Sequence, residues 1–318
     1  MSKKNISVIL LLVVMNCLCP PVVIKQECDH PSDLPMCEGL STYSIIDTTE
    51  FPPYMSSVGR LVFYIPSGSS NPFPVILVEP GFFSQSTDLE DVEKRYASHG
   101  FLVVGVNNTS HYDTITTSLD SYKMALLQTV RYIIESSKDN THFLFGLADT
   151  AAIGISGHSM GGGGAIQACD SIGKVNGQSI RAAVFMNPYG KCDGQNIQVP
   201  SLLLASENDM AVSPFMPMGA STPENIYFSY QSIPGSTVKS FGILKGMDHN
   251  AVVDENPLLA TSGNASMFLP TMVSWFKVFL AGDLSYKKYI DSTTTEFLDL
   301  KERFTAKGSV PRYVYEGL

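Results

Sequence analysis

The sequence predicts an α/β domain built on a mostly parallel central sheet flanked by helices. Three observations lead there. Strand-like runs come first and then alternate with helical ones; several strands are continuous apolar runs, as sheets covered on both faces require; and a glycine-rich turn, ISGHSMGGGG (Ile155 to Gly164), joins a buried strand to a helix. With 318 residues, 44% of them hydrophobic, the chain can bury one large core.

Residues 1–19 read as a secretory signal peptide. Lys3 and Lys4 precede a short apolar stretch, Ile6 to Leu18, closed by Pro20 and Pro21. That stretch falls well short of the roughly 20 residues a bilayer demands, so stable membrane insertion is not expected. Residues 20–40 form an irregular Cys- and Pro-rich segment. The α/β domain is placed at 41–290, and 291–318 is read as a polar C-terminal tail with an amphipathic stretch from Glu296 to Phe304.

Strands are expected at Ser41 to Asp47, Gly59 to Pro66 and Pro74 to Glu79, separated by Pro52-Pro53 and by a Gly/Ser/Asn turn. Thr87 to Glu90 has the form of a capping box, opening a helix that runs to His99 before Gly100. Phe101 to Val106 is a buried strand, and Leu119 to Ser136 has helical periodicity. Ala151 to Ser156 is a further buried strand, and a helix follows the glycines through Ala165 to Ser171. Arg181 to Met186, Ser201 to Ala205 and Val238 to Leu244 complete the sheet, and Met267 to Leu280 forms a last amphipathic helix with Pro270 near its first turn.

Charge and cysteine content narrow the function classes. The net charge is −9, and no Lys/Arg cluster offers a nucleic-acid footprint. Of the six cysteines, Cys17 and Cys19 would leave with the signal. The other four suit an oxidising compartment, with Cys28 and Cys37 the local pair to try first and Cys169 equally readable as a buried thiol. No C-x-x-C pair or H-E-x-x-H helix is present, so neither a metal nor another cofactor is called for. Sequons at Asn107, Asn108 and Asn264 would permit glycosylation of a secreted chain.

The chemistry concentrates at Gly157-His158-Ser159-Met160-Gly161. Between a strand and a helix, G-x-S-x-G is the setting of a nucleophile elbow. Side chains two residues either side of Ser159 would collide with the adjacent strand and helix, which explains the glycines. Gly162 to Gly164 read as packing positions. No phosphate-loop pattern competes, since the lysine that would meet a phosphate is missing.

A serine hydroxyl needs a base, and after Ser159 the only histidine is His249, in GMDHN. His158 should point away from Ser159, while His30, His99, His111 and His142 read as surface or packing residues. The acid is expected just past the strand SLLLA, where Asp209 fits best and Glu207 competes. Asp193, Asp248 and Asp254 are poorer placed. Oxyanion donors are expected from the backbone N–H groups of Met160 and Phe82, the latter in the loop Glu79 to Ser84. Phe82 and Phe83 suit either core packing or an apolar substrate wall.

Together these stretches resemble the cutinase-like polyester hydrolases, the family of poly(ethylene terephthalate) hydrolases and actinomycete cutinases. GHSMGGGG, ASHGFLVVGVNNTS, ASEND and PGFF carry the likeness, which extends over about Ser41 to Ile290. The resemblance implies an α/β-hydrolase fold without an obvious lid and a Ser159–Asp209–His249 triad. It also implies an oxyanion hole from the Phe82 and Met160 amides. Substrate-lining roles fall to Phe82, Phe83, Tyr189 and Met210, with Tyr189 where the family commonly has tryptophan. Phe83 and Asp248 replace small residues of the family pattern, the loop from Asp209 to Pro214 is one residue longer, and the family's C-terminal disulfide has no counterpart.

The expected function is therefore that of a secreted serine carboxylic-ester hydrolase working through an acyl-enzyme, cutinase- or polyesterase-like. A lipase or acetylhydrolase on the same fold, and an inactive hydrolase-like binding scaffold, are the alternatives. The expected partner is an ester with an apolar acyl or aromatic part, taken by a monomer.

Overall fold

The computed structural model describes Cys28 and residues 31–68, 72–109, 118–171, 180–209, 221–254 and 263–317. Among the described residues, nine strands form one sheet. They are β1 (Tyr43–Thr48), β2 (Val58–Pro66), β3 (Phe73–Glu79), β4 (Leu102–Asn108), β5 (Ala148–His158), β6 (Ile180–Met186), β7 (Ser201–Ser206), β8 (Lys239–Leu244) and β9 (Tyr313–Glu316). Their order is β1-β2-β4-β3-β5-β6-β7-β8-β9. The six strands from β4 to β8 in that order pair in parallel, while β1, β2 and β9 join antiparallel at the edges. This is the α/β-hydrolase arrangement the sequence predicts.

Strand side chains alternate between two cores because the pleat has a period of two. Val75 and Leu77 of β3 pack with α2 (Leu119–Ser136), α3 (Ser159–Ser171) and α4 (Pro223–Ser232). Ile76 and Val78 face α1 (Glu90–Ser98), α5 (Leu269–Phe279) and α6 (Thr295–Lys301) on the opposite side. With both faces covered, the central strands carry apolar stretches such as Val75–Val78, Leu102–Val104 and Leu202–Ala205, which is why they read as continuous runs rather than alternating ones.

Four local features differ from the sequence reading. The helix expected from Thr87 starts at Glu90, after a short 3-10 turn at Ser86–Leu89, and the capping contact lies two residues earlier: the Gln85 N–H donates to the Asp88 carboxylate at 2.7 Å. Helix α3 begins at Ser159 itself, taking the glycines inside it. Helix α4 was not foreseen, although Thr222 accepts from the Asn225 N–H at 3.3 Å and Pro223 occupies the first turn, both ordinary start signals. Residues beyond 290 are built into the domain. Phe297 and Phe304 are buried in the core beneath α5, and β9 extends the sheet beside β8. Burying those two aromatics gives the segment the apolar contacts a free tail would lack.

The Cys-rich segment is docked as well. Cys28 and Cys37 form a disulfide, while Cys169 and Cys192 are buried free thiols. Gly39 and Ser41 donate to the side chain and carbonyl of Ser98, both at 2.9 Å, and His99 Nε2 donates to the Cys37 carbonyl at 3.0 Å. A Cβ on Gly39 would lie 2.2 Å from the Ser98 carbonyl oxygen, so the strap can cross the end of α1 only as glycine. Burial lowers the His99 pKa to about 4, so the ring is a neutral structural donor. His142 is likewise structural, bonded to the Tyr132 hydroxyl at 2.9 Å. The proposed signal 1–19, His30 and His111 lie outside the described residues. No helix among the described residues is long and apolar enough to cross a membrane.

Candidate active site

Register places the site. Glu79 pairs with Gly157, His158 with Met186 and Ser206 with Leu244, so β3, β5, β6, β7 and β8 end at one level. Their following loops emerge along a single edge of the sheet. After β3 the chain winds to one side through β4, and after β5 to the other through β6. The crevice between β3 and β5 is thus a topological switch point, where ligands of open α/β sheets bind.

Ser159 sits at this crevice on the first residue of α3, with φ 53° and 8% exposure. A left-handed serine costs backbone energy that only a constrained surrounding holds in place. The constraint is visible at the neighbouring glycines. A Cβ on Gly157 would lie 2.5 Å from the Gly161 carbonyl oxygen, and one on Gly161 2.3 Å from that of Glu79. The later glycines are packing positions, against α2 and the loop after β6. Added Cβ atoms would lie 2.9 Å from Pro188 Cα at Gly162, 2.9 Å from Leu119 at Gly163 and 2.4 Å from Tyr122 at Gly164.

His249 and Asp209 arrive from the far side of the crevice. His249 Nδ1 lies 2.8 Å from Asp209 Oδ2, and its Nε2 lies 2.8 Å from Ser159 Oγ. Asp209 is fully buried, and an ionised carboxylate can only accept. Nδ1 therefore carries the hydrogen in the neutral ring, which leaves the Nε2 lone pair facing the serine hydroxyl. Burial works against protonating His249, but the charge and hydrogen bond of Asp209, with help from Asp248, outweigh it and raise its pKa above the ordinary histidine value. Glu207, the competing acid, is occupied elsewhere: its carboxylate accepts from the Gly246 N–H at 2.7 Å and so shapes the turn leading to His249.

The loop after β3 lies directly against the serine. A Cβ on Gly81 would come 2.7 Å from Ser159 Cβ. Phe82 is half-buried and Phe83 is 54% exposed with φ 60°, their ring centroids 4.1 Å apart. Both ends of this loop are braced from β4. Asn108 donates to Glu79 Oε1 at 3.0 Å, while Asn107 accepts from the Ser86 N–H at 2.7 Å and donates to its hydroxyl at 3.0 Å. Asn107 and Asn108 are 3% and 1% exposed, so in the folded chain these two sequons are core braces and not glycan acceptors. Tyr189 is held at the site by its N–H, which donates to the Ser159 carbonyl at 2.7 Å. Met210 lies outside the described residues.

Sequence reasoning missed one set of contacts. His158 does turn away from the serine, and its Nε2 donates to the main-chain carbonyl of His249 at 2.9 Å. The same carbonyl accepts from Asn187 Nδ2, also at 2.9 Å. The only local signal is an asparagine before Pro188 at the end of a buried strand.

Comparison with known proteins gives the family. A family profile described as PET hydrolase-like matches residues 39–307. The chain is 25% identical to a bis(hydroxyethyl) terephthalate hydrolase of Streptomyces coelicolor over 82% of its own length and 74% of that protein's. It is 26% identical to cutinase est2 of Thermobifida alba over 70% of its length and 64% of the relative's. With cutinase 1 of Thermobifida cellulosilytica it shares 24% identity over 82% of this chain and 88% of that one.

Proposed function

The chain belongs to the PET hydrolase-like family, and we propose that it is a serine hydrolase that cleaves carboxylic esters through an acyl-enzyme on Ser159. The observation that carries this reading is the continuous relay from Ser159 Oγ through His249 to the buried Asp209, with both links at 2.8 Å. His249 Nε2 takes the hydroxyl proton as Ser159 Oγ attacks the ester carbonyl, and Asp209 stabilises the imidazolium. The N–H groups of Phe82 and Met160 receive the developing oxyanion, the second aided by the N-terminal end of α3. Collapse expels the alcohol, which takes its proton from His249. Water, deprotonated by the same nitrogen, then attacks the acyl-enzyme and releases the acid.

The substrate side follows from the walls of the crevice. Phe82 and the exposed Phe83 offer aromatic faces on the loop against the nucleophile, and Tyr189, whose N–H bonds the Ser159 carbonyl, is proposed to add a third, which suits an apolar or aromatic acyl group and an open approach by a bulky, cutin-like polyester. Met210 is proposed to complete that wall. All three relay residues come from one chain, so a monomer suffices. The Cys28–Cys37 disulfide supports an oxidising compartment, and with the signal-like N-terminus we place the protein outside the cell.

Ser159→Ala tests the reading. It should abolish p-nitrophenol release from short acyl esters and labelling by a fluorophosphonate probe. Wild-type turnover in that variant would overturn the assignment, and a folded wild-type protein that neither turns over nor labels would point to a binding scaffold. Turnover of polyester film above that of triglyceride emulsion is the result expected for a polyesterase; the reverse marks a lipase.

A further inference from the structure

The base of the relay is carried on a loop, yet its main chain is held by side chains from the sheet. The His249 carbonyl has two lone pairs, and both are used: one by Asn187 Nδ2 and one by His158 Nε2, each at 2.9 Å. The second Asn187 hydrogen reaches the Asp248 carbonyl at 3.5 Å. His158 immediately precedes the nucleophile at the end of β5, and Asn187 immediately follows β6. The two strands beside Ser159 therefore grip the residue that deprotonates it.

Asn187 is an unexpected choice for this position on stability grounds alone. It is fully buried, its φ is 43°, and its Oδ1 has no hydrogen-bond partner. Glycine would adopt that backbone without strain and would bury no orphaned acceptor. Asparagine tolerates the left-handed region better than other side chains, and it brings an uncharged donor that points at the histidine loop. The N–H of Asn187 donates to the Leu204 carbonyl at 2.8 Å, which ties the residue to β7 as well. The donor is thus anchored in the sheet while its target lies on the loop.

We propose that Asn187 is a positioning residue for His249, acting with His158 on the carbonyl of the base so that its Nε2 stays aligned with Ser159. The proposal rests on the relay reading above. Neither side chain touches the ester, so substrate binding should be spared while the proton-transfer geometry is lost. Misplacing a reacting group by about 1 Å is enough to cost on the order of 100-fold in rate.

The test compares four variants on p-nitrophenyl butyrate, with active sites counted by fluorophosphonate labelling. Asn187→Gly keeps the left-handed backbone and deletes the donor; Asn187→Asp keeps the shape and loses the donor. His158→Leu removes the second donor, and His158→Gln keeps an N–H near the position of Nε2. The first three should lose about 10- to 100-fold in kcat per labelled site with KM within about twofold, and His158→Gln should recover most of the loss seen in His158→Leu. If Asn187→Gly and Asn187→Asp lower only Tm while kcat per labelled site stays within twofold, the proposal fails and the amide is merely structural. If Asn187→Gly does not fold, Asn187→Asp decides by the same criterion. A wild-type protein that does not label refutes the relay itself, a result distinct from either.

Discussion

Gly81→Ala tests the oxyanion loop with a single methyl group. The added Cβ would lie 2.7 Å from Ser159 Cβ, 3.2 Å from Ser159 Oγ and 3.5 Å from His158 Nδ1. Carbon atoms in contact prefer about 3.5–4.0 Å, so the loop must retreat by about 1 Å. Ser159 cannot yield in its place, because its left-handed turn is wedged between Gly157, Gly161 and the end of β3. The retreat carries the Phe82 N–H with it, out of reach of the oxyanion. A lost oxyanion donor costs on the order of 100-fold or more in kcat, equal to about 2.7 kcal/mol of barrier at 1.36 kcal/mol per tenfold. Steady-state hydrolysis of p-nitrophenyl butyrate measures it, with KM expected within about threefold. Gly235→Ala is the control, since a Cβ there meets nothing within 4 Å. A Gly81→Ala enzyme with kcat within twofold of wild type would remove Phe82 from the oxyanion hole.

Asp248 raises the His249 pKa, and the base works only when neutral. Asp248→Asn should therefore move the acidic limb of the kcat/KM profile to lower pH, while an unmoved limb would show that solvent screens the charge completely. Burial holds the Glu79 carboxyl well above the usual carboxylate range. Because that folded-state pKa is raised, the stability it contributes is present at low pH and lost as pH rises through it. Glu79→Gln should thus have the wild-type melting temperature in acid and a higher one in alkali; parallel curves would contradict a buried neutral acid. The disulfide closes a short loop with a sequence separation of 9, for which chain entropy predicts about 2–3 kcal/mol. The Cys28→Ser/Cys37→Ser double variant should melt several degrees lower with unchanged kcat, since the strap docks on the end of α1 and not at the crevice.

The contact of Ser159, His249 and Asp209 was legible because few residues could fill each proposed role. One histidine follows Ser159, and one buried strand is followed by two acids, so motif order pointed to His249 and narrowed the acid to Asp209 or Glu207, with Asp209 the better fit. The choice of Asp209 over Glu207 has a physical reason that only the fold reveals: the longer side chain folds back onto Gly246 while the shorter one reaches the imidazole. The central strands announced themselves by unbroken apolar runs. Strand β9 did not, because a half-buried edge strand of four residues carries too few apolar positions to show a period, and helix α6 showed only as part of the amphipathic stretch from Glu296 to Phe304.

What stayed hidden was the work of polar residues at strand ends. Asn107 and Asn108 read as sequons, and Asn187 drew no reading at all. In the fold each sits at the end of a strand: Asn107 and Asn108 hold the two ends of the loop after β3, at Ser86 and Glu79, and Asn187 holds the carbonyl of His249. An amide suits this task because it donates and accepts without the desolvation cost of a charge, so it can be buried among apolar strands and still bond a neighbouring backbone. Those bonds join residues 21, 29 and 62 positions apart, and no local pattern encodes such a separation. The letters therefore acquire meaning only once the sheet order puts β4 beside β3, and β6 between β5 and β7. The groups proposed to do the chemistry are recognisable from their spacing, and the groups proposed to aim them are recognisable only from the topology.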